Sequence, residues 1–263
     1  MSPVKKRARS YDSGKIRGAV FGQFGVVRDG VRGLGDGALR SGVGEWSVRE
    51  LVAHIGMALG AVERGLDAAG QQARAEVGLL DWPFATGRYA DGIDDDTRAL
   101  AIKHPDLDAL LGDIADRVAA RLDEGPGTRL VRTRMGTMTL DDYLVTRTVE
   151  LVVHTDDLNR ATGLAIPFDR QALAAATRLL ADALAVKAPG GSTEVRIPPY
   201  AVVQCVEGPR HTRGTPPNVV ETDPLTWIRL ATGRTDWATE RDAAKVSASG
   251  ERADLSALLP ILT

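Results

Sequence analysis

The chain has 263 residues, with 33 basic against 35 acidic side chains and a formal net charge of −2, a balance that excludes a dedicated nucleic-acid binder. At 43% hydrophobic and 26% charged residues it is a folded protein of one large or two medium domains, not a disordered, fibrous or disulfide-stapled chain. Its single cysteine, Cys205, excludes an intrachain disulfide, a cysteine zinc cage and a paired redox motif, and points to a reducing compartment.

Residues 1–11 read as a disordered basic tail carrying Lys5, Lys6, Arg7 and Arg9, without the aromatic interleaving of a nucleic-acid contact. No apolar stretch of signal-peptide length follows, and no run reaches membrane length, so the expectation is a cytoplasmic protein without membrane insertion or nucleic-acid partner. Six lysines against 27 arginines fit a GC-rich genome.

Apolar residues at three- and four-residue steps predict helices through about residue 160, with no strand-like alternation. The first spans about Ser13 to Leu34, where Ile16, Val20, Phe21, Phe24, Val27 and Val31 form a stripe, and the glycines from Gly33 to Gly44 end it. Ser47-Val48-Arg49-Glu50 has the form of a capping box opening a second helix, with Trp46 placed to staple onto Leu51. A connection from Gly78 to Asp96 holds Trp82, Pro83, Phe84, Arg88 and Tyr89, a composition suited to a lid over a site. A third helix covers about Leu107 to Leu122, before Gly125-Pro126-Gly127. A fourth opens at the capping signal Thr139-Leu140-Asp141-Asp142 and stops at Gly163.

Beyond Pro167 the pattern changes. Asp169 caps a fifth helix to about Val186, followed by strands at Glu194–Ile197, Ala201–Val206 and Val219–Glu221. Asp223-Pro224 opens a helix over Leu225–Thr232. A short helix at Thr235–Ala243, a strand at Lys245–Ser249 and a terminal helix at Leu255–Leu262 complete the prediction. The fold class is therefore α followed by α+β: a four-helix bundle over 12–165 and a small α+β domain over 166–263.

The fourth helix carries the chemistry. Leu144, Val145, Val149, Leu151, Val152 and Val153 point in nearly every direction, which predicts burial on most faces. Glu150 and His154 lie four residues apart on one face of it. An ionised carboxylate left unpaired in the interior costs several kcal/mol, so a partner is required. Two readings are open: an ion pair of Glu150 with Arg147 while His154 hydrogen-bonds nearby, or metal coordination. His54, a lone polar group among Leu51, Val52, Ala53, Ile55 and Leu59, completes a His-Glu-His set with a fourth position open. Asp157, one turn beyond His154, is placed either to orient that imidazole or to sit exposed at the helix end.

Two segments carry a resemblance, Trp46-Ser47-Val48-Arg49-Glu50-Leu51-Val52-Ala53-His54 and Arg147-Thr148-Val149-Glu150-Leu151-Val152-Val153-His154-Thr155-Asp156-Asp157-Leu158. Together they resemble the mycothiol-dependent maleylpyruvate isomerase family, among the DinB-like metalloprotein bundles, over about residues 12–163. The resemblance implies a four-helix bundle holding a divalent metal, usually zinc, through His54, Glu150 and His154. It also implies mycothiol as thiol cosubstrate and an actinobacterial source. Asp223-Pro224-Leu225-Thr226-Trp227-Ile228-Arg229-Leu230-Ala231-Thr232-Gly233-Arg234, with Val246-Ser247-Ala248-Ser249-Gly250-Glu251-Arg252-Ala253-Asp254-Leu255, is similar to the bacterial sterol-carrier-like domain. That wider fold implies an apolar groove for lipid, although carriage does not follow from the fold alone.

The expected function is a mycothiol-dependent metalloenzyme, a thiol-assisted isomerase or thiol S-transferase acting on a small electrophile. The alternatives are a lipid- or small-molecule-binding protein in which the bundle is support, and a metal-binding bundle without catalysis. Arg88 is a candidate catalytic contact to a substrate carboxylate through its planar fork, and Arg147 and Asp157 are candidates behind the ligands. Arg210, His211 and Arg213 form a basic loop read as solvated, while His104 and Cys205 are assigned no chemistry.

Overall fold

The computed structural model describes residues 9–70, 74–209 and 216–262. The chain forms two compact units: Tyr11–Leu79 with Arg88–Leu173, and Leu80–Gly87 with the described part of 174–263 and residues 9–10.

The first unit is built on four long helices: α1 (Ser13–Val31), α3 (Val48–Asp67), α5 (Leu107–Asp123) and α6 (Leu140–Thr162). Among them α3 packs on α5 and α6, and α1 on α6 and α5, which is the expected four-helix bundle. The capping signals form as read. Ser47 Oγ accepts from the Glu50 backbone N–H and the Glu50 carboxylate accepts from that of Ser47. Thr139 caps α6, and Gly163, at φ 72°, ends it in the left-handed conformation that glycine adopts without strain. Within α6 every residue from Tyr143 to Leu158 is buried except Glu150, so the all-round apolar pattern does mark a central helix.

Four features depart from the sequence reading. Short antiparallel hairpins, β1 (Gly42–Val43) with β2 (Trp46–Ser47) and β3 (Leu130–Thr133) with β4 (Gly136–Thr139), occur where no strand is expected. Segments of two to four residues are too short for alternation to show. The connection from Gly78 to Asp96 contains two 3-10 turns, Trp82–Phe84 and Thr86–Tyr89, and then enters helix α4 (Ala90–Lys103). This helix buries only Thr97 and Ala101, too thin a stripe to signal it. Its end is capped by Arg49, whose guanidinium donates to the carbonyls of Ala101, His104 and Pro105. Within the connection Trp82 and Pro83 are buried, and Leu80–Gly87 groups with the second unit. The one-turn helix α2 (Asp36–Leu39) falls inside the glycine-rich stretch whose composition predicts only loop.

The second unit holds a four-stranded sheet in the order β6-β5-β7-β8, from β5 (Thr193–Ile197), β6 (Ala201–Cys205), β7 (Val219–Thr222) and β8 (Val246–Ser249). β5 pairs antiparallel with β6 and parallel with β7, and β8 is antiparallel to β7. Helices α7 (Arg170–Lys187), α8 (Pro224–Ala231) and α9 (Trp237–Asp242) accompany it, the first turn of α7 belonging to the other unit. Its core includes Leu180, Leu184, Val195, Ile197, Cys205, Val220, Trp227 and Ile228. The terminal helix expected from Leu255 is only a 3-10 turn, Ser256–Leu258, because Pro260 lacks the N–H a longer helix needs. Arg9 is held by the Asp182 carboxylate at 2.6 Å, while residues 1–8 and the Arg210, His211 and Arg213 loop lie outside the described residues. Among the described residues no helix is long and apolar enough to cross a membrane.

One pH effect follows from the α8 cap. The Asp223 carboxylate is exposed; partial burial would raise its pKa, but hydrogen bonds from the Thr226 hydroxyl and the Leu225 and Thr226 N–H groups hold it below its ordinary value. A depressed carboxylate contributes stability above its unfolded pKa and loses it as pH falls through the folded one. Asp223→Ala is therefore expected to cost about 1 kcal/mol near neutrality. In denaturant melts across pH, the gap to wild type is expected to close below about pH 4.

Candidate metal centre

The capped start of α3 fixes the rotation that places His54 two turns into the helix, on the bundle interior. On α6 the four-residue spacing stacks Glu150 and His154 on one face. The packing of α3 on α6 then brings all three together. Their ligand atoms lie within 4.8 Å of one another, the one such group of three among the described residues. Glu150 Oε2 is 3.5 Å from His54 Nε2 and 3.4 Å from His154 Nε2. Tetrahedral coordination at ordinary zinc–ligand lengths separates donor atoms by about 3.3 Å, which the two carboxylate–imidazole separations match. The histidine side chains are 8% and 10% exposed and that of Glu150 23%, so all three are largely withdrawn from solvent.

The opposite ring nitrogens are also engaged. His154 Nδ1 is 3.1 Å from Asp157 Oδ2, and the other oxygen of Asp157 accepts from Arg160 at 2.8 Å. Asp157 is thus buried against the imidazole and not exposed at the helix end. His54 Nδ1 is 3.3 Å from Thr97 Oγ1 on α4. Trp46, on β2, lies with its ring 4.6 Å from the His54 ring and 6.1 Å from that of His154, beside both imidazoles, a placement its expected staple to Leu51 does not convey.

Arg147 is buried one turn before Glu150. Its guanidinium meets Glu150 Oε1 only at 3.9 Å, reaches the Ala58 carbonyl at 3.5 Å, and lies 4.5 Å over the Tyr143 ring. The two oxygens of Glu150 are therefore divided, Oε1 toward Arg147 and Oε2 toward the histidines. The carboxylate thus faces both the Arg147 charge and the two imidazoles.

The electrostatics follow from burial and these partners. Burial pushes His54 below its ordinary pKa, against the hydrogen bond to Glu150. Burial opposes the charged form of His154 as well, but the Asp157 and Glu150 carboxylates outweigh it and raise the pKa. For Glu150, burial acts upward, and the histidine hydrogen bonds with the Arg147 charge hold the carboxyl well below its ordinary range. The group remains an anion, the form that binds a cation.

Of the other candidates, Arg88 is exposed in the second 3-10 turn. Cys205 is buried in β6, and His104 ends α4. Sequence reasoning misses Thr97 and the placement of Trp46. The capping-box segment holds Trp46 but carries no sign of its tertiary neighbours, and Thr97 sits in a helix that the residue pattern does not predict.

Comparison with known proteins bears on both units. The family profile described as the mycothiol maleylpyruvate isomerase N-terminal domain matches residues 25–159, and that described as the bacterial SCP ortholog matches 169–261. No curated protein matches in sequence. Two solved structures, of the mycothiol-dependent maleylpyruvate isomerase and of a histidine-to-alanine mutant of it, each align with a TM-score of 0.59. At 14% identity, over 93% of this chain and 95% of each of theirs, they establish a shared fold. With a profile spanning half its length and a bundle of the same architecture, the chain belongs to the mycothiol maleylpyruvate isomerase family and carries an SCP-like C-terminal domain.

Proposed function

We propose that the protein is a cytoplasmic, metal-dependent enzyme that uses mycothiol as cosubstrate to isomerise, or transfer the thiol to, a small electrophile. The observation that carries this reading is the convergence of His54, Glu150 and His154, from two helices, in the bundle interior. Two nitrogens and one carboxylate oxygen suit zinc and similar divalent ions and leave a coordination position for an exogenous ligand. A divalent ion held there supplies Lewis acidity, which makes a bound thiol a thiolate at neutral pH.

The chain's own residues do the rest. Glu150 would offer Oε2 to the ion, and Arg147 faces Oε1, adding positive charge beside the site. Asp157, 3.1 Å from His154 Nδ1, would accept the proton there and leave Nε2 to ligate. Trp46 and the apolar residues of α3 and α6 limit water near the two imidazoles. The exposed Arg88 is proposed as the contact for a carboxylate on the substrate.

The test is elemental analysis of protein purified without an affinity tag, for wild type, His54→Ala and His154→Ala. About one metal per chain in wild type, lost in both variants, is the expected outcome. A wild type that holds no metal even after reconstitution would overturn the proposal and favour small-molecule binding by the SCP-like domain.

A further inference from the structure

We propose that Thr97 is a positioning residue of the metal centre: its hydroxyl holds the His54 imidazole with Nε2 turned toward Glu150 and His154, and stays bonded to Nδ1 in either neutral tautomer. This rests on the metal reading above.

The placement is specific. Helix α4 buries only two residues, Thr97 and Ala101, and Thr97 is fully enclosed. Burial alone would be served better by alanine or valine, since a hydroxyl withdrawn from water is unfavourable unless it finds a partner. The partner here is His54 Nδ1 at 3.3 Å, while Nε2 of the same ring lies 3.5 Å from Glu150 Oε2. The ring is thus held at both ends, from α4 on one side and α6 on the other.

The chemistry of the two supporting groups differs. A carboxylate only accepts, and behind His154 Nδ1 stands such a strict acceptor, Asp157. A hydroxyl both donates and accepts. Without a metal, His54 Nε2–H can donate to Glu150 while Nδ1 accepts from Thr97. When the Nε2 lone pair is needed for coordination, the proton resides on Nδ1 and is donated to Thr97 Oγ1. The ring carries one proton in each case, and the exchange runs through water, so the total is unchanged. Thr97 lets His54 make this change without rotating, which a strict acceptor at that position would not. The two histidines are accordingly inequivalent: His154 has a strict acceptor behind Nδ1, and His54 a group that both donates and accepts.

The test compares wild type with Thr97→Val, which keeps the shape and removes the hydroxyl, and Thr97→Ser, which keeps the hydroxyl and removes the methyl. Zinc affinity is measured by chelator competition, and the His54 tautomer by long-range proton–nitrogen NMR on metal-free and zinc-loaded protein. Thr97→Val is expected to weaken zinc binding by about 10–100-fold, while metal-free His54 carries its proton on Nε2, toward Glu150, in wild type and variant alike. Thr97→Ser is expected to stay close to wild type in both measurements. Equal zinc affinity in Thr97→Val, or a wild-type His54 whose proton stays on one nitrogen with and without zinc, would overturn this proposal alone. Equal losses in the valine and serine variants would assign the effect to packing and overturn it as well. A wild type that takes up no zinc would overturn the metal reading and this proposal together.

Discussion

Glu150→Gln is expected to lower zinc affinity by at least about 100-fold, more than the loss of a supporting hydrogen bond behind a ligand, while the bundle remains folded. Glutamine has nearly the same shape and can still hydrogen-bond to an imidazole, so the change isolates the charge. Glu150 Oε2 is the atom common to both histidines, at 3.5 and 3.4 Å. Oε1 faces Arg147 at 3.9 Å, too far for a strong hydrogen bond. If Glu150 served mainly to balance Arg147, the variant would keep one metal per chain and change only its melting behaviour. Elemental analysis after dialysis, combined with chelator competition, distinguishes the two, and stoichiometric metal in the glutamine variant would overturn the ligand assignment.

The largest structural effect is expected at a glycine on the surface. A Cβ at Gly190 would lie 1.9 Å from the Val206 carbonyl oxygen and 2.5 Å from the Glu207 nitrogen, both backbone atoms that no rotamer change can move. That carbonyl accepts from the Ser192 N–H and hydroxyl, and the Val206 N–H donates to Ala188. Making room for a methyl therefore disturbs the closure of the β5–β6 hairpin, and Gly190→Ala is expected to cost about 3 kcal/mol, the upper range for overpacking. Gly18 provides the contrast. It lies in α1, where an added Cβ would meet nothing within 4 Å, so Gly18→Ala is expected to stabilise by about 0.5–1 kcal/mol through helix propensity. Denaturant melts of the two variants side by side check both signs; a neutral Gly190→Ala would show that the 206–207 backbone yields.

Much of this architecture is legible without coordinates, for local reasons. The starts of α3 and α6 are written in short-range chemistry, Ser47 with Glu50 and Thr139 with Asp142, and the end of α6 in Gly163. His54, Glu150 and His154 stand out because each interrupts an apolar helix, and the i, i+4 relation of the last two needs only helix geometry. That His54 joins them depends on how α3 packs on α6, which residue pattern alone does not determine. Thr97 is illegible for a related reason: it lies in a polar helix with two buried positions, and its significance comes entirely from a neighbour 43 residues earlier. The hairpins escape because two to four residues carry too little periodicity.

The division of the ligands between helices has a thermodynamic consequence. Glu150 and His154 belong to one turn of α6, whereas His54 comes from α3, 96 residues before Glu150. An ion held by all three is a cross-link that exists only in the folded bundle, so its binding free energy is coupled to folding. Each tenfold rise of free metal above the dissociation constant adds about 1.4 kcal/mol to the unfolding free energy. With an ion bound in this way, the midpoint of unfolding would be a property of the metal buffer as much as of the polypeptide, and a chelator would act as a denaturant without touching the apolar core.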